Sequence, residues 1–410
     1  MESIIIHIDL DSFFASVEQE YNLAFRNKPL GVTATNGRTC IIASSREAKL
    51  LGIKTGTRSW EAKRLCPKII FTPADFVKYW EISKKFLNIC KDYSPYVELF
   101  SIDEVFIDIT KTIHLFGNVD KVVLEIKKRV RKELGECITV SVGISHNKLL
   151  SKLASGIKKP DGFFKITKED IDGVYSSCRL TDICGIGDAM AKRLSKLGIY
   201  NLLTIRKVPD EILVKEFGNS YTIFLKKVAY GLDDSEVVPY TFLPEIKSIS
   251  RDYCLPKNEY SKKVIMDNIY ELSEEIGIKL RRLSKKAKTI SLSLRGEENI
   301  SFQKTYALYF DRGTVIFNLL ESLLSSNINF TKTSFVRQIS VSVSSLEDNI
   351  NLPQSFFDIK YQRVQETIDL INDRFGDHTI RNGTLLYADK LTTVPNGYLA
   401  DKYERVKLAR

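Results

Sequence analysis

The hydrophobic pattern opens on an apolar, β-branched run over residues 3–10, broken only by His7 and Asp9. A run of this length predicts a buried strand. Residues 12–24 predict a helix with Ser12 as its N-cap. Residues 39–44 predict a strand, and 46–51 a short helix closed by Gly52. A longer helix is expected over 76–92, followed by a hairpin of 97–100 and 102–109. Val122, Ile126, Val130 and Leu134 recur every four residues, so 119–134 reads as an amphipathic helix whose other face carries Lys127, Lys128, Arg131 and Lys132. A strand over 137–144 and a helix over 148–157 follow. The order β-α-β-β-α-β is the ferredoxin-like arrangement, with residues 11–75 inserted after the first strand.

From 168 to 232 the pattern turns mostly helical, and Asp233-Asp234-Ser235 with residues 239–244 reads as a tether. Residues 247–346 alternate again: strands at 248–255, 289–295, 302–308 and 337–344, helices at 261–283 and 313–324. This is a second α+β module. A helix is expected over 364–375, before a polar end. The chain has 410 residues, enough for two to four domains.

The net charge of +10 favours polyanionic partners, either nucleic acid or an acidic membrane surface. The seven cysteines form no C-x-x-C pair, and the four histidines are dispersed, which argues against a zinc site and a disulfide scaffold. The start lacks a basic region and no stretch approaches the length of a membrane span, so the expectation is a cytoplasmic protein without membrane attachment.

Three carboxylates stand out by their surroundings. Asp9 ends an apolar strand; Asp103 and Glu104 open another apolar run. Carboxylates so placed are costly unless neutralised, and a pair of divalent cations does this while holding a triphosphate and activating a hydroxyl. Neighbours in a regular strand point to opposite faces, so Asp103 and Glu104 share a site only at a turn or irregularity. On pattern alone the plainer reading is that Glu104 and Asp11 are solvated or capping acids, with Asp108 as a decoy on the same strand.

The segments carrying these acids resemble Y-family translesion DNA polymerases. Ile8-Asp9-Leu10-Asp11-Ser12-Phe13-Phe14 is similar to the family's opening motif and Ser101-Ile102-Asp103-Glu104-Val105-Phe106-Ile107-Asp108 to its second. The stretches 142–155 and 158–162 resemble two further motifs, in family order. The resemblance implies an α+β multidomain, right-hand polymerase. Its ferredoxin-like palm would be 1–10 with 76–167, its small fingers 11–75, its helical thumb 168–233, its linker 234–246 and its α+β little finger 247–350. A tail, 351–410, would follow.

By the same resemblance Asp9, Asp103 and Glu104 would be catalytic metal ligands, with the Leu10 carbonyl, for two Mg²⁺ ions that Mn²⁺ could replace. Phe14 would be the steric gate against ribonucleotides. Phe13 would stand beside it at the nucleotide while belonging to the core. Lys159, Lys49 and Arg46 would meet the incoming dNTP. The family's fingers usually supply a tyrosine and an arginine where Arg46 and Lys49 stand here, and lysine cannot make arginine's forked contact. The fingers look closer to the UmuC branch and the palm to the DNA polymerase IV branch. Low fidelity, absence of a proofreading exonuclease and an SOS role follow from the resemblance.

For primer–template DNA, Gly185, Gly187 and Lys192 fall in a helix-hairpin-helix pattern whose glycines let backbone N–H groups approach phosphates. Lys247, Arg251, Arg295 and Arg337 lie in or beside expected strands that could follow a duplex. The basic run 279–288 reads as DNA contact or as a solvated helix face. Gln354, Phe356 and Phe357 weakly resemble a sliding-clamp peg, and read otherwise as packing on the body. The expectation is a monomer, with accessory subunits possible. The competing readings are a DNA-binding scaffold of the same fold with little catalysis, and a palm-type nucleotidyl cyclase.

Overall fold

A computed structural model describes residues 2–34, 40–242, 245–327, 335–352, 356–376 and 379–386. They fall into two compact units divided between residues 242 and 245.

In the first unit the chain runs β1 (Ile5–Leu10), α1 (Phe13–Tyr21), β2 (Leu30–Thr33), β3 (Ile41–Ser44), α2 (Arg46–Leu50), α3 (Ser59–Leu65), β4 (Ile70–Pro73), α4 (Phe76–Lys91), β5 (Val97–Leu99), β6 (Glu104–Asp108), α5 (Val119–Leu134), β7 (Val140–Ser145), α6 (Lys148–Ile157) and β8 (Phe163–Lys165). The main sheet has the order β5-β6-β1-β7-β8. Without β8, that is the ferredoxin-like order expected from the pattern. Ile6, Ile8 and Leu10 of β1 point into one core with α4 and α5. Each such side chain contributes about 1.5–3 kcal/mol when fully buried. The expected apolar stripe of α5 is buried, and Asn118 caps the helix by accepting from Lys121 N at 2.9 Å.

The opposite face of β1 carries Ile5, His7 and Asp9, as strand alternation requires. Gly143 of β7 lets α6 lie flush against this sheet, because a Cβ there would sit 2.1 Å from Ser151 O and 2.2 Å from Ser155 N. The inserted segment forms a small sheet of order β3-β2-β4. Ser12, expected as the N-cap of α1, occupies that position in a left-handed conformation (φ 50°, ψ 41°) and makes no side-chain cap bond. It turns the chain sharply from β1 into the helix.

Five helices follow: α7 (Ile171–Ser177), α8 (Asp188–Lys196), α9 (Leu202–Lys207), α10 (Asp210–Phe217) and α11 (Asn219–Ala229). They share a core that includes Ile186, Leu194, Ile199, Leu202 and Leu225.

The second unit contains β9 (Ser248–Glu259), α12 (Lys262–Arg282), β10 (Lys285–Gly296), β11 (Asn299–Phe310), α13 (Gly313–Asn327), β12 (Val336–Ser344), a two-residue strand β13 (Glu347–Asp348) and α14 (Phe356–Phe375). The sheet order is β11-β10-β12-β9, and Ile290, Leu292, Leu294, Ile339, Val341 and Val343 pack in one core with residues of α12 and α13. The helix expected at 364–375 begins earlier, at Phe356. Among the described residues no helix is long and apolar enough to cross a membrane.

Candidate active site and nucleic-acid interface

The acids meet at the end of the main sheet. Asp9 of β1 is the direct antiparallel partner of Glu104 at the start of β6, so the two side chains share a face. The strand expected from 102 starts instead at Glu104. Ile102 and Asp103 lie in a bend where Ser101 N donates to Glu104 O at 3.2 Å. That bend frees Asp103 from strand alternation. Its backbone O accepts from Leu10 N at 2.9 Å, and its side chain accepts from Ser101 Oγ at 2.5 Å.

A cavity of about 210 Å³ opens there. Asp9, Leu10, Phe13, Phe14, Lys49, Asp103 and Lys159 all line it, together with Ser12 and residues 42–44 and 55 of the inserted segment. Of the residues expected at the nucleotide and metals, Glu104 and Arg46 are not in the lining. Glu104 is ion-paired with Lys152 of α6. Arg46 hydrogen-bonds Thr139 Oγ1 and lies 3.7 Å from Asp11 Oδ2.

Phe14 and Phe13 are both buried, and both still reach the cavity wall. The Phe14 ring stacks on Tyr79 at 4.3 Å and 12°. Tyr79 is fixed in turn, since its hydroxyl donates to buried Glu18 at 2.6 Å. The wall beside the cavity is therefore a braced aromatic pair.

Electrostatically the cavity is a cluster of acids answered by lysines. Burial pushes the Asp9 carboxyl up to about 7; Asp103 and Glu104 add to the rise, and the ion pair with Lys159 opposes it. Burial also raises Asp103, with Glu104 adding to it. Burial opposes ionisation of Glu104 too, but the His7 ring 3.6 Å away and the charge of Lys152 outweigh it and hold the group near 2. Burial, and repulsion from Lys159, lower Lys49, whose Nζ donates to Ser12 Oγ at 2.7 Å. Two ammonium groups thus stand where counter-charges are needed. Among the described residues no three His, Cys, Asp or Glu side chains converge closely enough to hold an ion as they stand. The donor set nonetheless suits hard divalent cations, because it is all carboxylate oxygen in mutual repulsion.

Asp11 proves to be neither solvated nor a helix cap. It is 4% exposed and accepts from Thr139 Oγ1 at 2.8 Å, Ser141 Oγ at 2.7 Å and Asp161 N at 2.7 Å. It ties the end of β1 to β7 and to the loop that carries Lys159. Sequence reasoning missed this; the hydroxyls of Thr139 and Ser141 in an otherwise apolar strand were the available signal.

In the helical region Gly185 takes φ 98°, and a Cβ there would meet Phe224 at 2.5 Å. Tyr221 Oη donates to its carbonyl at 2.7 Å. Gly187 precedes α8 directly, with open space around it, and Lys192 is exposed.

In the second unit the expected arginines separate. Arg251 alternates with Ile249 and Leu255 and pairs with Glu275 of α12 at 3.2 Å, on the helix-covered side of the sheet. Arg337 lies at a register shift and donates to Lys257 O at 3.4 Å. Lys247 is exposed just before β9, and Arg295 is exposed on the open face. That open face consists of cross-strand rows: Ser250–Ser342–Ser291–Gln303, Asp252–Ser340–Ser293–Ser301 and Cys254–Gln338–Arg295–Asn299. Most of these positions carry neutral hydroxyls or amides, and the alternation Ile-Ser-Leu-Ser-Leu and Ile-Ser-Val-Ser-Val already announced them. The basic run is partly committed elsewhere, with Arg281 forked onto Asp369 at 2.5 and 2.8 Å, Arg282 on Asp373 at 2.5 Å and Lys285 on Asp348 at 2.8 Å. Of the clamp peg, Gln354 lies outside the described residues, and Phe356 and Phe357 fall in the first turn of α14.

Models described as the impB/mucB/samB family and the impB/mucB/samB family C-terminal domain match residues 8–156 and 246–354. The DNA polymerase IV of Acetivibrio thermocellus is 31% identical over 397 residues, which cover 94% of this chain and 98% of that protein. A Clostridium perfringens DNA polymerase IV is 33% identical over 349 residues, 84% of this chain and 95% of its own. Among solved structures, a Y-family DNA polymerase chimera of Dbh and Dpo4 superposes with a TM-score of 0.72 at 27% identity. That match covers 84% of this chain and all of the chimera.

Proposed function

The chain belongs to the impB/mucB/samB family of Y-family translesion DNA polymerases, and from that premise we propose that it extends primers by two-metal nucleotidyl transfer at the cavity of Asp9 and Asp103. It is a DNA-directed DNA polymerase of mixed α/β right-hand architecture. Within that architecture we read 1–10 and 76–167 as palm, 11–75 as fingers, 168–233 as thumb and 247–350 as little finger.

The single observation that carries the mechanism is that Asp9, Asp103, Phe14, Lys49 and Lys159 line one cavity. Asp9 and Asp103, with the Leu10 carbonyl and Glu104, would hold two Mg²⁺ ions, or Mn²⁺ in their place. Bound there, such ions lower the pKa of a 3′-hydroxyl and neutralise a triphosphate and leaving pyrophosphate. Lys159 and Lys49 supply further positive charge to the dNTP phosphates, and release of Lys159 from Asp9 would accompany filling of the site. Arg46 holds the fingers to Asp11 and Thr139 while its partly exposed guanidinium stays near the nucleotide. Phe14, braced by Tyr79, would exclude a ribose 2′-hydroxyl, and Phe13 completes the wall.

DNA grip follows from backbone and neutral contacts as much as from charge. The N–H groups after Gly185 and Gly187 at the start of α8, with exposed Lys192, suit a phosphate. The hydroxyl rows of the second sheet, with Arg295 among them and Lys247 at its edge, suit a nucleic-acid backbone read without sequence. Arg337 would add a contact at the start of β12. Arg251 serves the fold through Glu275. Low fidelity, a distributive mode and synthesis without a proofreading exonuclease accord with the family. Clamp docking through Gln354, Phe356 and Phe357, action in the SOS response, a cytoplasmic place and a monomeric state are proposals of the same rank.

Primer extension with Mg²⁺ on undamaged and lesion-bearing templates tests the reading. Extension past the lesion, with misinsertion and no 3′-excision, is expected. Failure to extend any primed template, with DNA binding intact, would favour the scaffold reading.

A further inference from the structure

His7 sits two residues before Asp9 on the same face of β1, opposite Gly143 and Phe106 in register. Its ring is 1% exposed, tilted 52° against Phe106 with centroids 4.6 Å apart. Nδ1 lies 2.7 Å from Ser155 Oγ. Nε2 has no hydrogen-bond partner and lies 3.6 Å from Glu104 Oε2. An imidazole nitrogen left unsatisfied in a buried site is costly, and the Glu104 carboxylate is an acceptor close by.

The proton count at Ser155 decides what Nε2 is. Ser155 has one hydroxyl proton and two acceptors within reach, His7 Nδ1 and Lys152 O at 2.8 Å. If the proton goes to Lys152 O, Nδ1 must carry the ring hydrogen, and Nε2 turns a lone pair toward the carboxylate. Two acceptors would then face each other out of water. If the proton goes to Nδ1, the ring hydrogen is on Nε2 and points at Glu104. The Lys152 carbonyl loses little by this, because it lies within α6 and has the helix ladder to satisfy it.

We propose that His7 is a positioning residue for Glu104: it carries its hydrogen on Nε2, donates to Oε2, and is held in that tautomer by Ser155. The proton count is that of a neutral ring, the form that enclosure against Phe106, away from water, favours. Lys152 contacts the same oxygen. The two donors thus share Oε2, which leaves Oε1 as the oxygen presented to a cation. A hydrogen bond from the outer partner orients the inner ligand and steadies its charge. The packing that delivers Ser155 depends on Gly143, whose missing Cβ admits α6 to this distance. The inference rests on the reading of Glu104 as a metal ligand, but the tautomer can be measured without any metal.

The test is long-range proton–nitrogen NMR on the full, metal-free chain with ¹⁵N-labelled histidine at neutral pH. Four histidines give four patterns, and His7→Gln identifies the one that matters. A neutral ring with hydrogen on Nε2 is expected; hydrogen on Nδ1, or a doubly protonated ring, overturns the proposal. The second arm measures the Mg²⁺ concentration for half-maximal extension. His7→Leu should raise it about 10–100-fold, and His7→Gln, whose amide can donate, should restore most of the loss, with DNA affinity unchanged in both. Equal Mg²⁺ requirements in His7→Leu and wild type would overturn positioning. The same result in Glu104→Ala would instead remove Glu104 from the metal site.

Discussion

The sheet that holds β1 and the sheet that holds β10 each leave part of one face outside their main apolar core, and they fill it in opposite ways. The first places His7, Asp9, Glu104 and the neighbouring Asp103 there, largely buried and answered by Lys152 and Lys159. The second exposes rows of serine, glutamine and asparagine with few charges among them. Charge held out of water interacts strongly with whatever enters, at the cost of shifted pKa values such as that of Asp9. Neutral hydroxyls on an open face interact weakly one by one, yet many together can follow a phosphate backbone without fixing register. On the proposed function, the first sheet is the seat of chemistry and the second the seat of grip.

Breaking the first side should give the largest effects. Lys159→Gln removes the cation that answers Asp9 and is expected to lower kcat/KM for dNTP about 10²–10³-fold, as for loss of one preorganised charge donor, in steady-state single-nucleotide insertion. An unchanged kcat/KM would remove Lys159 from the nucleotide site. Phe14→Ala should cut discrimination against ribonucleotides about 10–200-fold. Because it also costs about 3–5 kcal/mol of packing, the ratio of ribo- to deoxyribonucleotide insertion is the quantity to measure.

On the second side the effects are smaller and differ in kind. Arg295→Gln should reduce the salt slope of DNA binding by about 1, whereas Ser291→Ala with Ser340→Ala should weaken binding and leave the slope alone. Fluorescence anisotropy across salt concentrations separates these. A steeper fall for the serine pair would show that the hydroxyl rows act through charge after all. Arg251→Gln, on the covered face, should leave DNA affinity unchanged and cost about 1 kcal/mol in urea unfolding, a modest loss for a half-buried pair. Loss of affinity without loss of stability would return Arg251 to the DNA interface.

A pH effect sharpens the same contrast. The folded-state value of Asp9, about 7, lies above its unfolded one. The folded protein therefore holds a proton between roughly pH 4 and 7 that the unfolded chain has released, and metal-free stability should fall as pH rises through that window. Cations bind the deprotonated form, so added Mg²⁺ should flatten the fall. Thermal melts with and without Mg²⁺ measure it, and parallel curves would argue against cation binding at Asp9.

Much of this was legible beforehand, because periodicity and local composition determine it. The spacing of Val122, Ile126, Val130 and Leu134 announces α5, and the alternating serines announce β10 and β12. What escaped depends on contacts far along the chain. Asp11 looked like a local acid, yet its partners are 128, 130 and 150 residues away. The bend at 101–103 replaces the expected start of β6, since Asp103 follows Leu10 rather than the strand pleat. The face chosen by Arg251 depends on Glu275, which no local pattern couples to it. The early start of α14 had a signal in Ser355 followed three residues later by Asp358, passed over for the aromatic pair between them.

The most direct measurement of the central claim is single-turnover primer extension by Asp103→Ala beside wild type, with Mg²⁺, a primed template and DNA affinity determined in parallel. The account predicts that the variant binds primer–template as wild type does and loses extension by more than about 10³-fold, the scale of losing the charge stabilisation that a metal supplies. Extension at a rate near that of wild type would contradict it.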